Sequence, residues 1–578
     1  MFFDWHQFHA SEHTTPAVVD SRRRLRIGLA GFVVLLLAVF ARAVQLEVSG
    51  GAAFRAEATR PLRREKSLPG VRGRILARDG TVLACDKQMP ALTVHYRYLQ
   101  EPSDQRWLRR TARARLSRTQ CKEPHRVEAE MTKVDAEKAE LARRLQTLSR
   151  ISPQEWSRRA RRIQARVERI AQSVRRRRGN DITVAEQLDY HLMVEVLSLA
   201  VVVELEGHAE QYPGVRIITR TRRAYPSGSL AAHVLGHLGR VEKKELEDDR
   251  ADYHAEDFVG RTGLERRYES LLRGRCGVAV ELTDHSGRIL SSFREEEPGV
   301  GRDLVLSLDR QLQLAAETLL DSALQRSALH AARNEPAGGA IVVVDVRNGA
   351  IRAAASAPRF DPALFLGGDP NRLAAVLQDE AHPLFDRAGK MSLPPDDVFE
   401  TLSAIELLES STIDPRKPFC FTSTPLQIVR TMAAVANGGK LVTPHVVERI
   451  GVTESTVERE GDDALPSADG PIEIPAPRPI PGLRPATLEI VRNGLARAVS
   501  DPKGSAHGTV HLEQIAIAGK LSTAQAADAW FAGYVPADDP RLAFVVMLEH
   551  SGDAAVAAGP VAKRLVLRML ELELLDQP

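Results

Sequence analysis

Residues 515–524 (IAIAGKLSTA), 530–535 (WFAGYV) and 541–550 (RLAFVVMLEH) decide the fold class of this chain. Each is a short apolar run, and the gaps between them are of hairpin length, so we predict three strands followed by a last helix at about 559–575. Upstream, the stretch from DLVLSLD to AIVVVDV (303–346) predicts a strand, a helix and a second strand. Strand hairpins with helices at both ends of the segment indicate an α+β domain.

Length and composition exclude several classes of protein. The 578 residues are enough for about three or four domains. Contents of 43% hydrophobic and 27% charged residues are those of a folded protein, and they exclude a disordered chain and a polytopic membrane protein. The net charge of +3 gives no general affinity for polyanions. Four widely spaced cysteines form neither a disulfide framework nor a zinc-binding pair.

The N-terminal region predicts a membrane anchor. An arginine cluster at 22–26 precedes the apolar run IGLAGFVVLLLAVF. The run reaches the roughly 20 residues of a spanning helix, from Ile27 to Leu46, if Arg42 snorkels to the interface. We therefore expect a cytoplasmic tail at 1–26, an anchor at 27–46 and an external body, which excludes nucleic acid as a partner. A signal peptide cleaved after 41–43 (ARA) is the competing interpretation.

Residues 120–178 predict a helical hairpin. Apolar side chains recur every three or four residues over 127–148, with Lys138 in one seam position. The stretch SPQE at 152–155 is a helix-start signal, and the same rhythm resumes over 156–174. The pattern predicts an antiparallel coiled coil. Two interpretations fit its clustered arginines, binding of anionic lipid or wall polymer and a solvated charged face: Arg158, Arg159, Arg161, Arg162 and 175–178.

Short phrases along nearly the whole chain outside 103–180 resemble those of class B penicillin-binding proteins, the membrane-anchored transpeptidases of bacterial wall synthesis. In the first half they are RGRI (72–75), RDG (78–80), YP (225–226), AHVLG (232–236) and GLE (263–265). In the second half they are LSLD (306–309), APRFDP (357–362), TPLQ (424–427), ANGG (436–439), GK (519–520) and AWFAGY (529–534). Each phrase is weak alone, but their common order is specific.

The resemblance implies a domain organisation and a biological process. It implies an extended β-rich pedestal at 47–300, which carries the coiled-coil hairpin at 120–178 as an insertion. A transpeptidase-like domain of the serine β-lactamase type, in truncated form, would follow at 301–578. The implied process is peptidoglycan synthesis, with peptidoglycan and other cell-wall synthesis proteins as partners and an inclination to the elongation branch. No cofactor and no metal ion are expected.

The catalytic motif departs from the family pattern. The family acylates the serine of a Ser-x-x-Lys tetrad, whose lysine helps to remove the hydroxyl proton. The matching segment here is PPDDVFE at 394–400, where the family has Pro-Pro-Gly-Ser-Thr-Phe-Lys. Asp397 therefore stands at the nucleophile position and Glu400 at the base position. Two carboxylates would repel each other and the carboxylate of a peptide stem or a β-lactam.

The second and third motifs depart as well. Thr424 lies 27 positions after Asp397, with no Ser-x-Asn tripeptide between them. The third motif is Lys520-Leu521-Ser522, where the family has Lys-Thr-Gly. Lys520 is retained to bind a substrate carboxylate, whereas Leu521 and Ser522 are expected to crowd a strand edge that substrate must approach closely.

Three other constellations have simpler interpretations. SDPK at 500–503 is formally a Ser-x-x-Lys tetrad, but it lies downstream of the expected place in a stretch with Pro and Gly. The acidic residues of 396–400 have no second acidic cluster as a glycosidase or metal partner, so they indicate a solvated helix start. His233 and His237 have the spacing of metal ligands, but Gly236 places them near a turn and favours a structural role.

The sequence therefore predicts a single-pass penicillin-binding protein homologue without a catalytic residue, a scaffold or regulator of the elongation or division machinery. Two alternatives stay open. One is an active D,D-transpeptidase or peptidase that uses non-standard residues. The other is a structural strut that acts through its coiled coil.

Overall fold

The computed structural model describes residues 21–59, 61–68, 70–178, 183–246, 253, 257–283, 289–330, 338–367, 370–393, 422–451, 470–524 and 527–575. They form two compact units, Met1–Lys66 with Ala279–Arg294, and Ser67–Val278 with Glu295–Pro578. Most of the predicted cytoplasmic tail and the segment with Asp396, Asp397 and Glu400 lie outside the described residues.

Helices make up the larger part of the described regular structure. They are α1 (Ser21–Thr59), α2 (Tyr96–Leu99), α3 (Gln105–Arg115), α4 (Pro124–Ser149), α5 (Pro153–Arg178), α6 (Leu199–Gly207), α7 (Ala232–Leu235), α8 (Lys243–Leu246), α9 (Gly263–Arg267), α10 (Glu269–Leu272), α11 (Arg310–His330), α12 (Pro370–Gln378), α13 (Arg387–Lys390), α14 (Pro425–Ala436), α15 (Pro485–Ser500), α16 (His507–Val510) and α17 (Ala558–Glu571).

The strands belong to three larger sheets and two short pairs. They are β1 (Leu62–Leu68), β2 (Ile75–Leu76), β3 (Val82–His95), β4 (Tyr190–Val194), β5 (Val215–Ala224), β6 (Leu238–Arg240), β7 (Phe258–Gly260), β8 (Gly277–Thr283), β9 (Ile289–Glu296), β10 (Asp303–Leu306), β11 (Gly339–Asp345), β12 (Ile351–Ala357), β13 (Lys440–Leu441), β14 (Val447–Gly451), β15 (Gly470–Pro471), β16 (Arg478–Pro479), β17 (Ala518–Thr523), β18 (Ala529–Val535) and β19 (Leu542–Leu548).

The first unit contains α1 and most of a three-stranded sheet of order β1-β8-β9. Within α1, the 20 residues Arg26–Gln45 have a mean hydropathy of 2.4, and none of the most apolar window is buried. A helix this long and apolar can cross a bilayer. It coincides with the predicted anchor, and the Arg42 guanidinium turns to the side-chain oxygen of Gln45, 2.8 Å away.

The pedestal part of the second unit is built on a seven-stranded sheet of order β15-β14-β10-β2-β3-β4, with β5 also paired to β3. Asp79 and Gly80 form the tight turn of the β2–β3 hairpin, and Gly80 has a φ of +79°, which a side chain would disfavour. Strand β10 runs parallel to β2, and Asp303 binds the backbone N–H and the guanidinium of Arg74 at 2.6–2.9 Å.

The C-terminal part of the second unit is a five-stranded antiparallel sheet of order β12-β11-β19-β18-β17. Every residue of β11, β18 and β19 is buried, because helices cover both faces. Helix α14 packs on one face, and α11 and α17 pack on the other. The predicted strands, the last helix and the α+β class are confirmed.

The helical insertion has the predicted helices but a different packing. Helices α4 and α5 lie where the rhythm placed them, and the Ser152 hydroxyl accepts the Glu155 N–H at the start of α5. They contact each other near their connection, where Leu145 packs with Trp156. Farther along α4, however, the seam residue Met131 packs on α3 rather than on α5. The apolar face of α4 therefore packs partly on α5 and partly on α3. The predicted two-helix coiled coil is corrected to a helical lobe of α3, α4 and α5.

Candidate active site

Lys520 lies in β17, the strand at the edge of the five-stranded sheet. In the register with β18, Lys520 pairs with Ala532 and Ser522 pairs with Trp530. Ala532 and Trp530 belong to the core on the α14 face of the sheet. Because side chains alternate along a strand, Lys520 and Ser522 share that face. Lys520 is half-buried, so its ammonium can reach a ligand laid along the strand edge.

The other two residues of the third motif occupy opposite sides of the strand. Leu521 lies in the core beneath α11 and α17, paired with Phe531, so it does not crowd the face of Lys520 and that expectation is wrong for it. Ser522 is only 5% exposed on the Lys520 face, where the family has a residue without a side chain. Its hydroxyl has no hydrogen-bond partner in the part of the chain that the structure describes.

The segment with Asp397 and Glu400 leaves the described fold at Leu393 and rejoins it at Ser423. Leu393 and Ser423 form an antiparallel bridge, in which the Ser423 N–H donates to the Leu393 carbonyl at 2.9 Å. The ends of the intervening chain are therefore held side by side. The next residue, Thr424, starts α14 with a reciprocal capping box to Gln427.

Buried charges hold the chain that leads into this segment. Arg387 in α13 donates to the Glu549 carboxylate at 2.9 Å, and both side chains are about 6% exposed. A second guanidinium nitrogen of Arg387 donates to the Ala381 carbonyl at 2.9 Å. The Ser356 hydroxyl lies 3.0 Å from the Asp386 carboxylate and accepts the Ala388 N–H. Sequence analysis missed Glu549, which follows β19 by one residue.

The remaining candidate residues do not form a catalytic arrangement in the part of the chain that the structure describes. Ser500 is an exposed residue at the last position of α15, and Lys503 is exposed in the following turn, so they do not resemble a tetrad at a helix start. His233 Nε2 lies 2.8 Å from the Pro383 carbonyl, and His237 stacks on Phe365. Both side chains thus have partners within the fold. Among the described residues no group of three or more His, Cys, Asp and Glu side chains forms a metal cluster.

A second polar centre lies in the pedestal and was not predicted from sequence. Glu265, which is fully buried, accepts hydrogen bonds from Arg72 Nε at 2.7 Å and Arg223 Nε at 2.8 Å. Arg223 also donates to the Gly73 carbonyl, and Arg72 donates to Glu269. Burial alone raises the pKa of Glu265, but the charges of Arg223 and Arg72 lower it below its ordinary value. These contacts tie β2, β5, α9 and α10 together.

Known protein families match both halves of this arrangement. Residues 67–306 match the penicillin-binding protein dimerisation domain, and residues 395–568 match the penicillin-binding protein transpeptidase domain. The two matches together cover more than two thirds of the chain. The chain belongs to the penicillin-binding protein family. The predicted family is thereby confirmed.

Curated relatives place this penicillin-binding protein in class B, elongation type. It is 26% identical to the peptidoglycan D,D-transpeptidase MrdA of Acinetobacter baumannii, over 61% of this chain and 67% of that protein. It is 32% identical to the MrdA of Escherichia coli K12, over 35% of this chain and 31% of that protein. The second alignment thus spans about a third of the relative's length.

Solved structures show the same fold. A complex between PBP2 and MreC from Helicobacter pylori matches with a TM-score of 0.60 at 18% identity, over 89% of this penicillin-binding protein and all of that chain. A chain from a structure of a peptidoglycan synthase complex that coordinates polymerization and crosslinking matches with a TM-score of 0.59 at 21% identity, over 94% of this chain and 98% of that one.

Proposed function

We propose that this penicillin-binding protein serves peptidoglycan synthesis without forming an acyl-enzyme, as a scaffold or regulator of the elongation machinery. One observation carries the proposal: Asp397 and Glu400 stand where the family has its serine nucleophile and its lysine base. A carboxylate nucleophile would form a labile anhydride with a stem peptide, and a second carboxylate three positions away cannot supply the positive charge of the family lysine.

The other two motifs support the same conclusion. The interval between Leu393 and Ser423 contains 29 residues and no Ser-x-Asn tripeptide. In the third motif Lys520 is retained, half-buried on the α14 face of β17, but Ser522 adds a side chain on the same face. One altered motif is compatible with a variant enzyme, whereas three altered motifs favour loss of the reaction.

The fold itself is kept, which favours a binding role over decay of the gene product. The strands β18 and β19 are fully buried, and the buried carboxylates of Glu265 and Glu549 each pair with an arginine. Loss of one partner of such a buried pair would be costly, so the folded scaffold depends on both partners.

Partners and location follow from the same family relationship. The Helicobacter pylori PBP2 was solved with MreC, and a related chain was solved in a peptidoglycan synthase complex. We propose cell-wall synthesis proteins of these kinds, together with peptidoglycan, as partners of this chain. We also propose a single-pass anchor from Ile27 to Leu46, a cytoplasmic N-terminus and an external body, because arginines precede the span. We also propose that the pedestal ends at residue 300 and that the transpeptidase-like domain begins at residue 301.

A second candidate function has one observation in its favour. Ser522 and Lys520 share a face of β17, and the Ser522 hydroxyl is buried without a hydrogen-bond partner in the described chain. In this candidate Lys520, as the neutral amine, would take the hydroxyl proton while the Ser522 oxygen attacks a peptide carbonyl. The C–N bond of that peptide would then break, and the leaving amine would take the proton from Lys520. The 5% exposure of Ser522 disfavours it, because a substrate carbonyl must reach that oxygen.

A covalent labelling experiment tests the proposal. The full chain in nonionic detergent is incubated with a fluorescent penicillin and separated on a denaturing gel, beside an active class B protein as positive control. We expect no label, together with a cooperative thermal transition that shows folded protein. A stable label contradicts the proposal, and peptide mapping of the adduct then tests Ser522 and Ser500. If a label does form, the S522A variant tests the second candidate, which predicts that the variant loses the label.

A further inference from the structure

The charge of this penicillin-binding protein is concentrated in the helical lobe of residues 97–178. This lobe carries 24 Lys and Arg against 10 Asp and Glu, a net charge of +14, whereas the whole chain carries only +3. The remaining residues therefore sum to −11. A near-neutral total hides a strongly cationic body, and such a body attracts multivalent anions.

Helix α3 presents the most regular part of this charge. Arg106, Arg109, Arg110 and Arg113 follow one another at spacings of three, one and three residues, which places them along one stripe of the helix. All four side chains are exposed, and with Gln105 they line a shallow groove of about 340 Å³. The stripe spans roughly 10 Å at the 1.5 Å rise of an α-helix.

The stripe differs from several other arginines of the lobe in its lack of carboxylate partners. On α4, Arg143 and Arg144 both pair with Glu140, at 2.9 and 3.2 Å, and Arg126 pairs with Glu123 at 2.7 Å. No described carboxylate forms an ion pair with the four stripe arginines. The four guanidiniums of the stripe are therefore available to bind an external anion.

Two features of the surroundings of the stripe also favour the binding of an anion. Asp104, the nearest acid, accepts the Arg106 N–H as the cap of α3. Arg97 at α2 lies close enough that burial and then the charge of Arg110 lower its pKa, with Asp104 acting in the opposite direction. Like charges held together in this way repel each other, and a bound anion would relieve the repulsion.

The apolar face of α3 decides between a bilayer and a polymer strand. Leu108 and Ala112 are buried against α4, and Trp107 packs edge-on against Tyr98 at 5.4 Å between ring centroids. No large hydrophobic side chain of α3 is exposed, so α3 lacks the apolar face with which an interfacial helix enters lipid. A groove lined by a row of guanidiniums instead suits a strand with repeated carboxylates, because guanidinium and carboxylate pair in a planar, bidentate geometry.

We propose that the stripe Arg106–Arg109–Arg110–Arg113 is a binding surface for un-cross-linked peptidoglycan strands, through the free carboxylates of their peptide stems. This inference rests on the proposed function, since peptidoglycan synthesis puts that polymer beside the external body. The protein would then hold nascent strands through its pedestal lobe, away from the third-motif strand β17.

Sedimentation with purified sacculi tests this binding, because the stems of a sacculus that are not cross-linked carry the free carboxylates of the proposed ligand. The full chain in nonionic detergent is mixed with sacculi over a series of salt concentrations, and the bound fraction is measured. The test variant is R106Q/R109Q/R110Q/R113Q. The matched control is R126Q/R143Q/R144Q/R158Q, which removes the same charge from paired, exposed arginines of the same lobe. We expect the stripe variant to bind about tenfold more weakly and with a flatter salt dependence, and the control to change less than about twofold.

Several outcomes would overturn the inference. Equal weakening of both variants would mean that only total charge matters, and no weakening of either would remove the stripe from binding. Sacculi whose carboxylates have been amidated should lose the stripe-dependent binding, and retained binding contradicts a carboxylate ligand. Stripe-dependent binding to phosphatidylglycerol vesicles but not to sacculi assigns the surface to lipid instead. The penicillin-labelling experiment is independent of this binding assay. A stable label would refute the proposed function without altering these binding results.

Discussion

Replacing Glu265 by alanine is expected to destabilise the pedestal severely. The variant removes a fully buried carboxylate that lies 2.7 Å from Arg72 and 2.8 Å from Arg223, and it leaves these two guanidiniums with only Glu269 and Asp86 as counter-charges. Breaking a buried pair in this way costs about 3–5 kcal/mol. At about 2–4 °C per kcal/mol for a domain of this size, the first thermal transition should fall by about 6–20 °C.

The control for this variant is Glu140→Ala on α4. Glu140 also pairs with two arginines, but its side chain is 43% exposed, so its loss should cost less than about 1 kcal/mol. Thermal melts of both variants, followed by tryptophan fluorescence, give the comparison. A loss below about 1 kcal/mol for Glu265→Ala would refute the view that the buried charges hold the pedestal together.

The pH dependence of Glu265→Gln checks the electrostatic part of the argument. The folded-state pKa of Glu265 is lowered below its ordinary value of 4.5, so its ionised form contributes stability above that pH. This contribution is lost as the pH falls through the lowered folded-state pKa. The stability gap between the native protein and Glu265→Gln should therefore be constant near neutrality and narrow at strongly acid pH. A gap that widens on acidification would contradict the sign.

Three further substitutions test particular contacts. Arg387→Met should cost about 3–5 kcal/mol in urea unfolding, because it leaves the Glu549 carboxylate buried and unpaired; an unchanged midpoint would contradict this. Leu521→Thr should cost about 2–4 kcal/mol in the same assay, because the side chain lies in the core beneath α11 and α17 and not at the ligand face. Lys138→Met removes the ammonium that lies 2.5 Å from the Gln100 carbonyl, so the lobe should be cleaved faster in limited proteolysis, and unchanged cleavage would count against that contact.

Much of the local structure was predictable because its determinants lie within a few residues of one another. The start of α5 at Pro153 follows from a serine cap and a glutamate three residues on, and Gly80 marks the β2–β3 turn. The alternation of apolar runs in β17–β19 was enough to predict the α+β class. The altered motif residues Asp397 and Glu400 can likewise be read directly from the chain, and together with the altered second and third motifs they motivate the proposed loss of catalysis.

The chain by itself thus determined the family, the element types and the chemical identity of the motif positions. Tertiary structure decided which partners those elements meet. The apolar face of α4 could have packed on α5 alone, but α3 covers its Met131 end. The hydrophobic effect has no preferred direction, so the sequence of α4 does not specify which helix buries this face. The pairing of Arg72 with Glu265 bridges 193 residues, and no local pattern encodes that separation. The side of β17 that holds Leu521 likewise depended on strand register, which only the assembled sheet defines.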